Sequence, residues 1–408
     1  MHNQIHYLLL ACIVFTLPFY IKLNSILILL AGANWLLAGN LFDKLKTTLN
    51  NKLNLCFIFL YLLHVISSFS SLNANEAHAI LERRLSFIVF PLLLCYPLKT
   101  KQINTLLYVF ITAISCALLI CYAIAFQRYF SNHNTEVFYY HEFASAIHIN
   151  AIYLSAYIVF GINIIIKSWF IDKAPFKMFL LILCAFFFVS LLLLSSKMML
   201  FILTVNMIVW TFYLVKSRNT LIRIISGIIL FIILSVSFSS GIRSRIDTEL
   251  HSNLNLVYQT KFDYNTPFTG TSLRLVIWKF CFELIHENNA WLWGVGTGDM
   301  QDLLNAKYIN AGMYTGNPEL HDSGYLGYGP HNEYVEIMLA LGIPALILLL
   351  LAFGFLLFEA IHSKNYLLIQ LVILTSLFFI TESALGTNKG IVFLMFFIIL
   401  LNGRLKES

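Results

Sequence analysis

Gly329-Pro330-His331-Asn332-Glu333-Tyr334 stands where two kinds of sequence meet. Before it lies a hydrophilic stretch, 241–330, and behind it starts an apolar run, 331–358. The histidine at the junction carries the side chain whose charge changes nearest neutral pH. Outward from this boundary, in both directions, the chain is apolar in lengths that suit a bilayer.

Composition excludes a water-soluble domain. Of 408 residues, 59% are hydrophobic and 11% are charged, whereas soluble domains carry about 25% charged residues. A chain so poor in charge cannot clothe a water-facing surface. Spanning ~30 Å of hydrocarbon takes roughly 20 apolar residues. Runs near that size fall at 5–21, 23–42, 53–72, 84–98, 103–126, 145–166, 176–195, 198–215, 221–240, 331–358, 365–382 and 389–402. The expected fold is therefore all-α, a polytopic membrane protein of about 12 transmembrane helices. Residues 1–240 hold the first nine, 241–330 form one long extracytoplasmic loop, and 331–408 hold the last three with a short tail. Residues 5–21 lack the basic leader and small-residue cleavage site of a signal peptide, so they are expected as a retained span.

The net charge of +6 reads as topology, not as a nucleic-acid footprint. Alternate short loops hold 14 Lys and Arg on one side and 6 on the other. Positive loops stay in the cytoplasm, so both termini are expected there and 241–330 outside it. That loop carries six basic and nine acidic residues, a net of −3. Leu275, Ile277, Trp278, Cys281, Phe282, Leu284 and Ile285 fall at helical spacing within it, which predicts an amphipathic helix over 272–289 with Thr271 or Ser272 as its N-cap. Gly294-Val295-Gly296-Thr297-Gly298 reads as a tight turn. The seven cysteines contain no C-x-x-C pair, so neither a disulfide framework nor a zinc site is expected.

Unusual polar residues gather on the outer side of this topology. Arg83 and Arg84 start the fourth span, His148 and Asn150 lie near the sixth, and Lys197 sits in the turn between the seventh and eighth. Glu382 and Lys389 flank the last outer turn, while Arg274 and His331 belong to the loop. Charges at the lip of a bilayer suit a phosphate or diphosphate whose lipid tail stays in the membrane. A histidine beside them suits a proton acceptor. Each has a blander reading as well. Arg83 and Arg84 suit interface anchors, Lys197 a topological charge, His148 a packing residue, Arg274 a solvated helix face, and Glu382 a helix-end partner of Lys389. No Asp-x-Asp occurs in the loops assigned to the cytoplasm, and no HExxH, GxSxG or P-loop occurs anywhere. The simplest expectation is group transfer from a lipid-linked diphosphate without metal or other cofactor.

These residues resemble the O-antigen ligase and polymerase superfamily of bacterial envelope glycan enzymes. Arg274 with Trp278, then Trp293 to Gly298, are similar to the R-x3-W and G-x-G-x-G stretch of that superfamily. Pro330-His331-Asn332-Glu333-Tyr334, followed by Leu341-Gly342-Ile343-Pro344, resembles its His-Asn motif. Ser195-Ser196-Lys197 resembles a Ser-Arg turn with lysine in place of arginine. Glu82-Arg83-Arg84-Leu85-Ser86 and His148-Ile149-Asn150 are fainter matches. The resemblance implies a metal-independent, inverting membrane glycosyltransferase of the GT-C type in the bacterial inner membrane, working at the periplasmic face. Its donor would be an undecaprenyl-diphosphate-linked glycan. The acceptor would be a sugar hydroxyl of the lipid A core for a ligase, or a second lipid-linked repeat for a polymerase. By carry-over, His331 and Arg274 are the catalytic pair. Arg274, Lys197, Arg83 and Arg84 would contact the diphosphate, with His148, Asn150, Asn332, Glu333 and Glu382 in support. Glu333 or Glu336 could replace His331 as base. A polysaccharide or lipid transporter is the reading from another class; it predicts charges at mid-membrane depth and a two-halved pattern, and neither is evident.

Overall fold

The computed structural model describes residues 2–403 except Pro97, Ser239, Pro318 and Leu320. Among the described residues the chain is helical, with one isolated bridge, Asn317 to Asp322. The first half contains α1 (His2–Thr16), α2 (Ile21–Leu37), α3 (Leu41–Leu49), α4 (Lys52–Ser68), α5 (Ala74–Arg84), α6 (Ser86–Leu93) and α7 (Thr100–Asn132). There follow α8 (Tyr140–Ser145), α9 (Ala151–Phe170), α10 (Lys177–Leu193), α11 (Lys197–Leu214) and α12 (Arg218–Phe238). The polar stretch holds α13 (Ser240–Leu250), α14 (Gly270–Glu287) and α15 (Met300–Asn310). The chain ends with α16 (Glu333–Leu341), α17 (Ile343–His362), α18 (Tyr366–Thr381) and α19 (Asn388–Gly403).

Five of these helices are long and apolar enough to cross a membrane, and six are if α2 and α3 count as one bent span. Four shorter apolar helices, α4, α10, α18 and α19, accompany them. Two expected spans take another form. Residues 84–98 do not make one helix: α5 and α6 abut at Leu85, and α6 ends just after Pro91, whose ring removes a backbone donor. At 8 residues α6 is about 12 Å long, well short of a bilayer. The run 331–358 is broken at Gly342 into α16 and α17.

The core is aromatic and centres on α9 and α19. Phe110 stacks on Phe393 with centroids 5.7 Å apart and meets Phe397 at 4.7 Å. Tyr157 and Phe160 close the same cluster. From Gly390 to Asn402 every residue of α19 is buried, so a short apolar helix here is an inner element, not a lipid-facing one. α12 is the opposite case: Ile222, Leu230, Phe231, Ile233 and Leu234 are all exposed. A helix this apolar and this bare is stable only against lipid.

The amphipathic helix of the polar stretch forms as α14, starting two or three residues earlier than the spacing predicts. Thr269 is its N-cap: Ser272 N donates to Thr269 Oγ1 at 3.2 Å and Thr269 N donates to Ser272 Oγ at 2.8 Å. Val276, Ile277, Phe280, Cys281, Leu284 and Ile285 are buried, whereas Phe282, expected on the apolar face, points outward and is exposed. Burial pushes the Cys281 thiol up, which keeps it protonated and unreactive.

The glycine motif holds the broken span together. Where the helix stops at Gly342, the carbonyls of Leu339 and Ala340 lose helical partners and instead accept from Val295 N (2.8 Å) and Gly296 N (3.2 Å). Ile343 N donates to Trp291 O at 2.8 Å across the same break. The approach is close enough that a Cβ at Gly294 (φ +69) would meet Ala340 C at 2.2 Å, and one at Gly342 (φ +83) would meet Leu292 C at 2.4 Å. On its far side the motif docks on α4: Thr297 N donates to Ser67 Oγ and Thr297 Oγ1 lies 3.1 Å from Nδ1 of buried His64. Asp299 then caps the start of α5 by accepting from Leu72 N and Asn73 N. The stretch is a structural clasp between α4, α5 and α16.

Candidate functional site

Trp278, one turn beyond Arg274 on α14, donates from Nε1 to Pro330 O at 2.8 Å. This bond fixes the turn that carries His331, whose φ of +47 is in the left-handed region. Asn332 follows as the N-cap of α16: its Oδ1 accepts from Val335 N at 3.1 Å and its Nδ2 donates to Ile380 O at 3.1 Å. Asn332 therefore joins the histidine turn to the end of α18.

His331 Nδ1 lies 3.4 Å from Glu382 Oε1. Of the two readings the sequence leaves for Glu382, site residue or helix-end partner of Lys389, the structure sets Glu382 beside the histidine and Lys389 Nζ on His148 O at 3.0 Å. With its proton on Nδ1 the ring donates to Glu382 and keeps Nε2 as an acceptor. The ring is half-buried, Tyr328 stacks edge-on at 5.8 Å, and both His331 and Glu382 line a cavity of 350 Å³. Arg83, Arg84, Glu76, Asp302, Glu336 and Thr387 line it too.

The two arginines of this cavity are already engaged. Arg83 pairs with Glu76 at 2.8 Å. Arg84, only 2% exposed, bridges Glu333 at 3.3 Å and Glu336 at 2.8 Å. Glu333 is fully buried and also accepts from Leu385 N at 2.8 Å. The triad ties α5, α16 and the 384–386 turn into one rigid wall. With four carboxylates lining it against two paired guanidiniums, this cavity repels a diphosphate and suits neutral hydroxyls.

A second cavity, of 300 Å³, adjoins the first across one turn: Thr381 lines the second, Glu382 and Ser383 the first. It contains Lys197, Arg274, Glu249, Ser196 and Thr271. Lys197 Nζ lies 3.2 Å from Glu249 Oε1, and Glu249 Oε2 accepts from Thr271 N at 3.2 Å. Burial pushes the Glu249 carboxyl up, but hydrogen bonds from Thr271 and Lys197 and the lysine's charge outweigh it, so the group is held below its ordinary value. Arg274 Nη1 is 3.4 Å from Gly270 O, while its Nε is buried with no hydrogen-bond partner among the described residues. An orphaned buried N–H on a guanidinium, in a cavity with two cations to one carboxylate, is a place that lacks an acceptor. Phe201, on α11 and more than half exposed, forms the lip on the apolar side.

Of the residues named from sequence, Arg83, Arg84, His331 and Glu382 meet in the first cavity, and Lys197 and Arg274 meet in the second. Asn332 and Glu333 stand behind the first as cap and wall. His148 and Asn150 join neither. His148 offers its carbonyl to Lys389, and Asn150 caps α9 by accepting from Ile152 N at 3.1 Å. The sequence does not single out Glu249, Glu76, Asp302 or Thr387; nothing in their local sequence separates them from solvated loop residues.

The family model described as O-antigen ligase matches residues 179–350. The matched segment carries Lys197, Glu249, Arg274 and His331 and supports placement in the O-antigen ligase and polymerase superfamily. A search of the curated proteins finds no match.

Proposed function

We propose that this protein is a membrane glycosyltransferase of the O-antigen ligase type. It moves a glycan from undecaprenyl diphosphate to a sugar hydroxyl of the lipid A core. The observation that carries this reading is the pair of adjoining cavities with opposite charge character. The diphosphate lies between Lys197 and Arg274, where the unpartnered Nε of Arg274 meets a phosphate oxygen and the lipid tail leaves over Phe201. The acceptor sugar lies in the carboxylate-rich cavity beside His331.

The acceptor oxygen attacks the anomeric carbon and its proton passes to His331 Nε2. The bond from that carbon to the diphosphate oxygen breaks, and the lipid diphosphate departs with the electron pair, its growing charge met by Lys197 and Arg274. Glu382 holds the imidazole in the tautomer that can accept and stabilises the imidazolium that forms. Attack from the side opposite the leaving group inverts the anomeric centre. Arg84 acts as structure and Arg83 borders the acceptor.

The family match and the apolar helices support a bilayer setting. The charge asymmetry of the short loops supports the fuller picture: both termini in the cytoplasm and the two cavities on the periplasmic side of the inner membrane. The test is an envelope-glycan gel of a deletion strain carrying wild type, Arg274→Ala or His331→Ala. The expected result for both variants is core without O-chain, with long polymer retained on the lipid carrier. Core capped with a single repeat would assign polymerisation instead, and an unchanged ladder would contradict glycan transfer.

A further inference from the structure

A third cavity, 540 Å³, lies at the other end of the molecule, between the starts of α1 and α7 and the ends of α2 and α6. α4 separates it from the paired cavities: its first residues pack near α3, its last two turns meet the glycine clasp, and its 17 residues span about 25 Å. His2, His6, Lys44 and Lys99 line this cavity with Asn34 and Trp35, and no carboxylate is among its lining residues.

Lys44 is the decisive side chain. It is 95% buried (5% exposed), donates to Trp35 O and sits 4.8 Å from the centroid of the Trp35 ring. Among the described residues no carboxylate pairs with it. One carbonyl and one aromatic face do not offset the desolvation of a buried ammonium. Two further groups are short of partners. His6 gives Nε2 to Leu93 O at 2.8 Å, and its buried Nδ1 has no hydrogen-bond partner among the described residues. The indole Nε1 of Trp35, 91% buried (9% exposed), faces at best the Cys95 thiol, a weak acceptor. The cavity thus gathers buried cationic and N–H groups, with no anion among its described lining residues.

α3 sets the depth of its mouth. It turns by 117° from α2, which lays it nearer the membrane plane than the normal. Its Lys44 and Thr48 face inward while Leu41, Phe42, Leu45 and Leu49 are exposed, Phe42 by 78%. A short helix that turns its leucines outward and a lysine inward rests in the interface of a bilayer. The cavity beside it then opens at the level of lipid phosphates. We infer that this cavity binds a phosphate ester, and specifically the headgroup of an anionic phospholipid, with Lys44 as the buried counter-charge and Lys99 at the rim.

The test uses the purified full-length protein in detergent, titrated with phosphatidylglycerol or phosphatidylcholine of matched chains, with bound lipids counted by native mass spectrometry. Glycerol 3-phosphate serves as the soluble probe. The expected result is at least tenfold preference for phosphatidylglycerol, lost in Lys44→Met and reduced about fivefold in Lys99→Gln, whose exposed position leaves folding intact. Displacement of phosphatidylglycerol by millimolar glycerol 3-phosphate, with the same sensitivity to both variants, would uphold the phosphate site and assign it to a soluble ester. Equal binding of the two lipids, or a preference untouched in Lys99→Gln and in a folded Lys44→Met, would overturn the inference.

Discussion

Arg84 opens an apolar run and Arg274 sits on the amphipathic helix of the polar stretch, and the structure gives them opposite surroundings. Arg84 is enclosed with Glu333 and Glu336, so removing its charge strands a fully buried carboxylate. Breaking such a pair costs about 3–5 kcal/mol. Arg84→Met is therefore expected to lower thermal stability by that amount, and Arg84→Met with Glu333→Gln and Glu336→Gln to recover much of it; unfolding followed by tryptophan fluorescence checks both. Arg274→Ala, by contrast, removes a group with an unpartnered Nε, so its stability should stay close to wild type. The sequence offers both arginines as diphosphate contacts. Their residue types are legible there, because charge is conspicuous in so apolar a chain. Their partners are not: Arg84 and Glu333 are 249 residues apart, and no local pattern records that pairing.

At the scale of elements, the glycine motif and the broken span are one device. Gly294 needs a positive φ and leaves 2.2 Å for a Cβ. Gly294→Ala is expected to cost roughly 3 kcal/mol or more, read as loss of folded protein in detergent, with Leu292→Ala, at an exposed position of the same loop, as the tolerated control. The motif's letters are plain in the sequence, but that its amides replace the helical partners of Leu339 and Ala340 follows only from the break at Gly342. α13 is held to α11 and α14 through Glu249, and its pH response has a defined sign. The folded carboxyl lies below its ordinary value of 4.5, so its contribution is complete above pH 4.5 and disappears as pH falls through the depressed value. Protease nicking within 240–271 should rise on acidification below pH 4.5, and Glu249→Gln should be nicked already at pH 7. Apolar runs predict the long helices well. They mispredict 84–98 because one proline and one buried ion triad outrank hydropathy there.

Across the whole molecule, chemistry is divided by charge. A carboxylate-rich cavity with a histidine adjoins a cationic one across the 381–383 turn, and a second cationic cavity occupies the opposite end. In the proposed reaction this division gives binding and proton transfer to different residues, which kinetics can separate. The direct measurement is transfer of lipid-diphosphate-linked glycan to acceptor by the protein in proteoliposomes, with donor capture measured in parallel. His331→Ala should lose about 100-fold or more in kcat while capturing donor as wild type does; Arg274→Ala should lose donor capture itself. Wild-type transfer by either variant, or normal donor capture by Arg274→Ala, would contradict the two-cavity account.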